Sequence, residues 1–218
     1  MPDIFDEIDE DLRADRARKL LARYGSVLVG GAVLIVAATG GWKAWQWRQA
    51  GETERVATAY LAASHAADAP AGPPERLAAE SDLGKVAAES SGGYRALARL
   101  REAALKADGG DLAGALALWD AVAGDSGADR VLRDVATLQW ALHQIDNGNP
   151  AQVEARLKPL TDPGNPLHAM AEEAQALLAL RQDNKDAARD LLKRLAQDTT
   201  APEGVRGRAN GLLAQLGG

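Results

Sequence analysis

The sequence predicts an all-α protein: one membrane-spanning helix near the start, then a stack of helix pairs. Three observations carry that expectation. Alanine supplies 46 of 218 residues and only nine are aromatic, a composition that favours helix over sheet. From Tyr24 to Trp42 nineteen residues pass without a charge, whereas no convincing period-two run follows Arg48. A similar apolar pattern then returns at intervals of 38 and 35 residues. The net charge of −6 argues against nucleic-acid binding, which calls for a basic stripe. With no cysteine there is no disulfide framework, thiolate metal site, cysteine nucleophile or lipobox anchor.

Residues 1–23 read as a short amphipathic helix on the cytoplasmic side. Asp3 is a candidate N-cap after Pro2, acids come early and bases late, and Ile4, Phe5, Ile8 and Leu12 share a face. Residues 24–47 read as the single transmembrane helix: 24 residues rise about 36 Å against a hydrocarbon core of roughly 30 Å. Tyr24 marks one boundary and Trp42, Trp45 and Trp47 the other, as aromatic rings do at membrane interfaces. A cleaved signal peptide fits less well, because 23 residues precede the apolar run and seven of them are acidic. Arg13, Arg16, Arg18, Lys19 and Arg23 before the span outnumber Lys43, Arg48 and Arg55 after it. That bias places the N-terminus in the cytoplasm and the C-terminal part outside. Ser26, Gly30, Val33, Ala37 and Gly41 fall on one side of the span, the small-xxx-small pattern through which membrane helices approach closely. Small residues are also simply common in such helices, so a helix-packing face and a plain anchor are both open.

Residues 48–218 read as one helical domain. Ala50–Ala67 continues from the anchor until the Pro70–Pro74 stretch breaks it, and a shorter helix runs over Pro74–Glu89. Three first helices follow, Tyr94–Ala107, Ala128–Ile145 and Leu167–Gln182. Each leads through a turn, Gly110–Asp111, Gly148–Asn149 or Asp183–Asn184, into a second helix. In those second helices Ala115, Trp119 and Val122 match Val153, Leu157 and Leu160, and these match Ala188, Leu192 and Leu195. The period is close to the roughly 34-residue tetratricopeptide unit, whose pairs bury their apolar faces only by stacking. Pro202–Leu216 would close the stack, with Val205, Leu212, Leu213 and Leu216 inward and Arg206 and Arg208 in water. The fold class is therefore a single N-terminal transmembrane helix followed by a tetratricopeptide-like helical-hairpin solenoid.

Over its full length the chain resembles the YfgM-like, membrane-anchored tetratricopeptide-repeat-like proteins of Gram-negative bacteria, ancillary subunits of the Sec translocon. The resemblance is carried by the opening DIFDEIDEDLRADRARKLLARYG, the apolar span with its WKAWQW exit, and the helix pairs with GGDLAGALALWDAV and DNKDAARDLLKRL. It implies a domain in the periplasm, anchored in the cell inner membrane, with Sec translocon subunits and a periplasmic chaperone as partners. The first helices lack most large consensus residues of a standard tetratricopeptide repeat, so no groove residues carry over.

No chemistry emerges from the residues. His65, His143 and His168 form no H-E-x-x-H and share no helix face. Carboxylates such as Glu172–Glu173 and Asp183–Asp186 read as helix-surface patterns, and no phosphate loop, dinucleotide fingerprint or nucleophile elbow occurs. Trp119 and Trp140 read as core. The expectation is a non-enzymatic, membrane-tethered protein–protein interaction module, with no cofactor, metal, nucleic acid or small-molecule substrate. It would be an accessory or chaperone-associated factor assisting exported proteins. The alternative is a homo-oligomeric envelope scaffold with no translocon role.

Overall fold

The computed structural model describes residues 4–68 and 72–217; side chains are described from residue 31 onward, apart from 32, 44, 49, 50, 52 and 73. Two compact units divide the chain, Met1–Arg55 and Val56–Gly218. The described residues form α-helices and one 3₁₀ turn, with no strand among them.

The first unit is the greater part of α1 (Ile4–Asp68). Residues 4–23, expected as a separate short helix, lie within α1, while Asp3 and the apolar face of Ile4, Phe5, Ile8 and Leu12 fall outside the described side chains. The single transmembrane helix expected over 24–47 is not found: among the described residues no helix is long and apolar enough to cross a membrane. Side chains 24–30 lie outside the described ones, which leaves an apolar stretch over 31–42 that rises about 18 Å, short of a bilayer core of roughly 30 Å. Within it Val33, Leu34, Ile35 and Val36 stand exposed, and Trp42 and Trp45 lie ring against ring at 5.3 Å. The Thr39 hydroxyl donates to the Ile35 carbonyl at 2.8 Å, so the helix satisfies that polar group internally.

The second unit begins with the end of α1, whose Val56, Tyr60, Ala63 and Ala67 pack with α2 (Pro73–Glu89) around Leu83. Three hairpins follow in order. They are α3 (Gly92–Asp108) with α4 (Leu112–Ala123), α5 (Arg130–Gln144) with α6 (Pro150–Leu157), and α7 (His168–Arg181) with α8 (Lys185–Gln197). The α6 helix runs on into the 3₁₀ turn Lys158–Thr161. α9 (Glu203–Gln215) packs on α7 and α8 and closes the stack. The sequence-derived bounds agree with the observed ones to within about two residues, the ordinary fraying of helix ends.

Each second helix begins at a side-chain cap. The Asp111 carboxylate accepts from the Gly114 amide at 2.9 Å, Asn149 from Ala151 at 3.0 Å and Asn184 from Ala187 at 3.2 Å. The residue before the cap turns the chain: Gly110 has φ 90° and Asp183 φ 56°, the left-handed region that glycine enters freely and aspartate tolerates. The cap chemistry also sets electrostatics, since the Gly114 amide and then Lys106 hold the Asp111 carboxyl below its usual range.

The repeat pattern proves to be the core. All nine matched positions, Ala115/Trp119/Val122, Val153/Leu157/Leu160 and Ala188/Leu192/Leu195, are at most 2% exposed. The larger members of each triple pack in one cluster with residues of the first helices: Trp119 with Ala96 and Ala136, Leu157 with Ala141 and Ala171, and Leu192 with Ala176. The first helices contribute mainly alanine: Ala96, Ala98 and Ala103 of α3, Ala136 and Ala141 of α5, and Ala171, Ala174 and Ala176 of α7 are all at most 1% exposed. Small side chains let the helix axes approach, so the core consists of large anchors from one layer meeting small sockets in the other.

Two predictions follow from this division. Leu157→Ala and Leu192→Ala should each cost about 2–5 kcal/mol of unfolding free energy, whereas Leu77→Ala, 64% exposed, should change it by less than about 0.5 kcal/mol. Urea unfolding of the full chain followed by far-UV circular dichroism measures both. Asn149→Ala removes the α6 cap and should cost about 1 kcal/mol in the same assay, with Asn149→Asp recovering most of it.

Candidate protein-binding groove

The first helices α3, α5 and α7, with α9, form a layer of their own, each touching the next. Among the described residues, hollows lie along it at three places. The first, about 260 Å³, sits between α3 and α5, lined by Leu100, Ala104, Val135, Gln139 and His143, with the buried Trp119 at its base and Asp108 at its rim. The other two, about 510 Å³ each, share Leu142 and Leu177. One extends to Glu173, Arg208 and Leu212 on the α9 side, the other to Ile145, Asp146, Leu180 and Arg181 beside the turn after α5.

The groove follows from the alanine layer. α5 and α7 fill much of their inward face with alanine beside Leu138 and Leu178, and others of their larger apolar residues stand on the open face. Leu142 is 38% exposed and Met170 39%, and Val131 stands at 46% one turn before the first hollow's Val135. Leu177 is half-buried between the two larger hollows. Leucine, valine and methionine spaced along four helices make an apolar track with polar edges, the composition of a protein-binding surface.

The polar groups along the track are mostly spoken for. Glu173, 8% exposed, accepts two hydrogen bonds at 2.6 Å from Nε and Nη2 of Arg208. Those bonds raise the Arg208 guanidinium above its ordinary pKa, against the opposing effect of burial. This corrects one expectation: Glu173 is no surface acid. Arg208 is largely exposed, as expected, yet spends its guanidinium on a buried carboxylate. Arg206 is half-exposed, and its Nε is buried and meets no partner among the described residues. Arg181 donates to the carbonyls of Ile145 at 2.5 Å and Gly148 at 2.8 Å, so a cation from one hairpin satisfies free carbonyls at the end of α5 and in the turn of the previous hairpin. Behind the track, Arg156 of α6 stacks over Trp140 at 3.8 Å and pairs with Asp120 at 2.6 Å, which joins successive hairpins.

The histidines stay apart in function. His143 lies against Trp119 at 4.4 Å, its Nδ1 2.9 Å from the Gln139 carbonyl. His168 starts α7, with Nδ1 3.0 Å from the Asn165 carbonyl and Nε2 3.3 Å from Asp198. The Thr200 hydroxyl and amide, then His168, hold the Asp198 carboxyl below its usual range. Among the described residues no three His, Asp or Glu side chains converge as metal ligands would. Glu102 is pushed up by burial, but it faces Lys106 and Glu80 between packed helices rather than a cleft.

Of the expected anchor face, Val33, Ala37 and Gly41 lie exposed on α1, while the side-chain positions of Ser26 and Gly30 fall outside the described residues. Sequence reasoning assigned no groove residue. One clue to Glu173 was available: it stands four residues after Ala169 and three before Ala176, on the face those buried alanines share. An acid in that register needs a buried partner. Arg208→Met should therefore destabilise the chain by about 1–3 kcal/mol, more than Glu173→Gln does, because only the first leaves a charge buried alone. The double change Glu173→Leu/Arg208→Met should recover most of the loss in thermal melts.

No curated protein and no solved structure matches the chain. A family model does: the tetratricopeptide repeat-like domain covers residues 18–207, which takes in α2–α8 and most of α1 and ends within α9. Domains of this kind are interaction modules and typically carry no catalysis of their own. The chain belongs to the tetratricopeptide repeat-like domain family.

Proposed function

We propose that the chain is a membrane-anchored, non-enzymatic interaction module whose first-helix groove holds a segment of a partner protein beside the Sec translocon, assisting exported proteins. The observation that carries the binding role is the apolar track itself: Leu142 and Leu177 shared by two hollows of about 510 Å³, on a layer otherwise packed with alanine. Leu142 and Leu177 stand on neighbouring helices and line both hollows, so together they offer one continuous apolar contact to a docking segment.

Anchoring is supported by the charge-free run from Tyr24 to Trp42 and by the tryptophans that end it. The internal hydrogen bond of Thr39 is what a hydroxyl needs in hydrocarbon, where no water can satisfy it. The basic excess before the run supports an N-terminus in the cytoplasm and a helical domain in the periplasm. The translocon and a periplasmic chaperone enter as partners through the resemblance of the opening, the WKAWQW exit and the helix pairs to YfgM-like proteins. A tether serves such a role physically, because it raises the effective concentration of a weak binding groove at the site where chains emerge.

A mild-detergent pull-down with partners identified by mass spectrometry tests the reading in three forms: native protein, Gly30→Leu/Ala37→Leu in the anchor, and Leu142→Glu/Leu177→Glu in the groove. Translocon or chaperone subunits should come down with the native protein. The groove variant, folded by circular dichroism, should lose the client or chaperone part of that set, while the anchor variant loses membrane partners. Recovery of nothing but further copies of the chain would remove the translocon role and leave the envelope scaffold.

A further inference from the structure

The groove's first hollow differs from the other two in its electrostatics, and the difference points to what it takes. The hollow between α5 and α7 is lined by both signs, Asp146 and an Arg181 bonded to the Ile145 and Gly148 carbonyls, and in the hollow toward α9 the acid Glu173 is neutralised by Arg208. The α3–α5 hollow carries an acid alone. Asp108 is exposed at its rim and meets neither a cation nor a hydrogen-bond donor among the described residues. The nearest amine on its own helix, Lys106, is committed elsewhere, 3.4 Å from Asp111 and 3.6 Å from Glu80. Arg76 of α2 brings its Cδ near the open side of Gly109 and makes no ion pair with Asp108 among the described residues.

Asp108 also stands where folding disfavours an acid. It is the last residue of α3, and the free carbonyls at a helix C-terminus already carry negative potential. The adjacent space is apolar and roomy: Leu100, Ala104 and Val135 surround about 260 Å³ over the Trp119 ring. An apolar cavity of about 150 Å³ takes a benzene molecule, so a leucine, methionine or phenylalanine side chain fits here. Gln139 and His143 on the same wall carry no fixed negative charge that would compete.

We propose that the α3–α5 hollow receives an apolar side chain of the partner segment while Asp108 receives a lysine or arginine next to it, so that the groove selects segments pairing an apolar with a basic residue. This assignment rests on the groove being the binding face, as proposed above. The charge complementarity supplies discrimination and the hollow supplies the buried contact.

The test uses the full chain in neutral-lipid nanodiscs, with empty discs as the blank, and three fluorescent nonapeptides. Each has a central benzoylphenylalanine flanked by lysine, glutamine or glutamate. Anisotropy gives the affinities, and photo-crosslinking with peptide mapping gives the site. The lysine peptide should bind about fivefold tighter than the glutamine peptide, the upper range for an exposed ion pair, and the glutamate peptide weaker than both. Cross-links should fall on α3 and α5. Asp108→Asn should remove the lysine preference and leave the glutamine peptide's affinity unchanged. Equal binding of all three peptides with cross-links still on the first helices would overturn the charge selection and leave the groove standing. A lysine preference that survives Asp108→Asn would overturn the assignment of Asp108. Absence of cross-links to any first helix would overturn this inference and the groove reading together.

Discussion

A pair of helices cannot bury its own apolar stripe, and the architecture from α3 onward answers that constraint. Each second helix supplies two large anchors and one small contact, and each first helix supplies alanine sockets. Neither layer is stable without the other, and no hairpin is complete without its neighbour, so the stack propagates until something caps it. α9 is that cap: Val205 and Ala209 close the core over α8, and Arg189 of α8 reaches the Leu216 carbonyl at the end of α9 at 3.0 Å. Hydrogen bonds decide where helices start. Burial decides that they stay.

The same division explains which parts were legible in the sequence. A triple such as Val153/Leu157/Leu160 repeats at near-constant spacing because its environment repeats, and a period is what a sequence displays most openly. The caps Asp111, Asn149 and Asn184 were legible for a similar reason, since each is a local bond between a side chain and an amide two or three residues on. The pair of α1 with α2 was harder to see as a further hairpin. Its second helix starts at Gly72 with no side-chain cap, so the signal that marked the other turns is missing there.

The groove was not legible, and the cause is physical rather than a shortage of signal. Which leucine faces the open side depends on how closely α5 approaches α7, and that distance is set by alanines on both helices acting together. Pairings across a hairpin are equally non-local. Glu173 and Arg208 lie 35 residues apart, and Asn165 donates to Asp134 at 2.9 Å over 31 residues. Seen singly, an acid and an arginine on amphipathic helices look like solvated surface. Only the register of Glu173 among buried alanines carried a hint, and alanine is so abundant here that the hint is faint.

Abundance of alanine also bears on how the groove can work. The alanine sockets belong to regular helices, so the track lies on ordered backbone and a docking segment orders little of the chain itself. Yet the contact is divided among three hollows, two of which share Leu142 and Leu177, so no single contact dominates. Binding of that kind is weak per contact and tolerant of sequence. It becomes useful when the groove is held where its partner is concentrated, which is what a tether provides. Selectivity must then come from features that cost little in affinity, such as an acid left unpaired beside an apolar hollow. Asp108 is such a feature: at the C-terminus of α3 it meets no cation among the described residues, and its proposed value lies in excluding segments of the wrong charge.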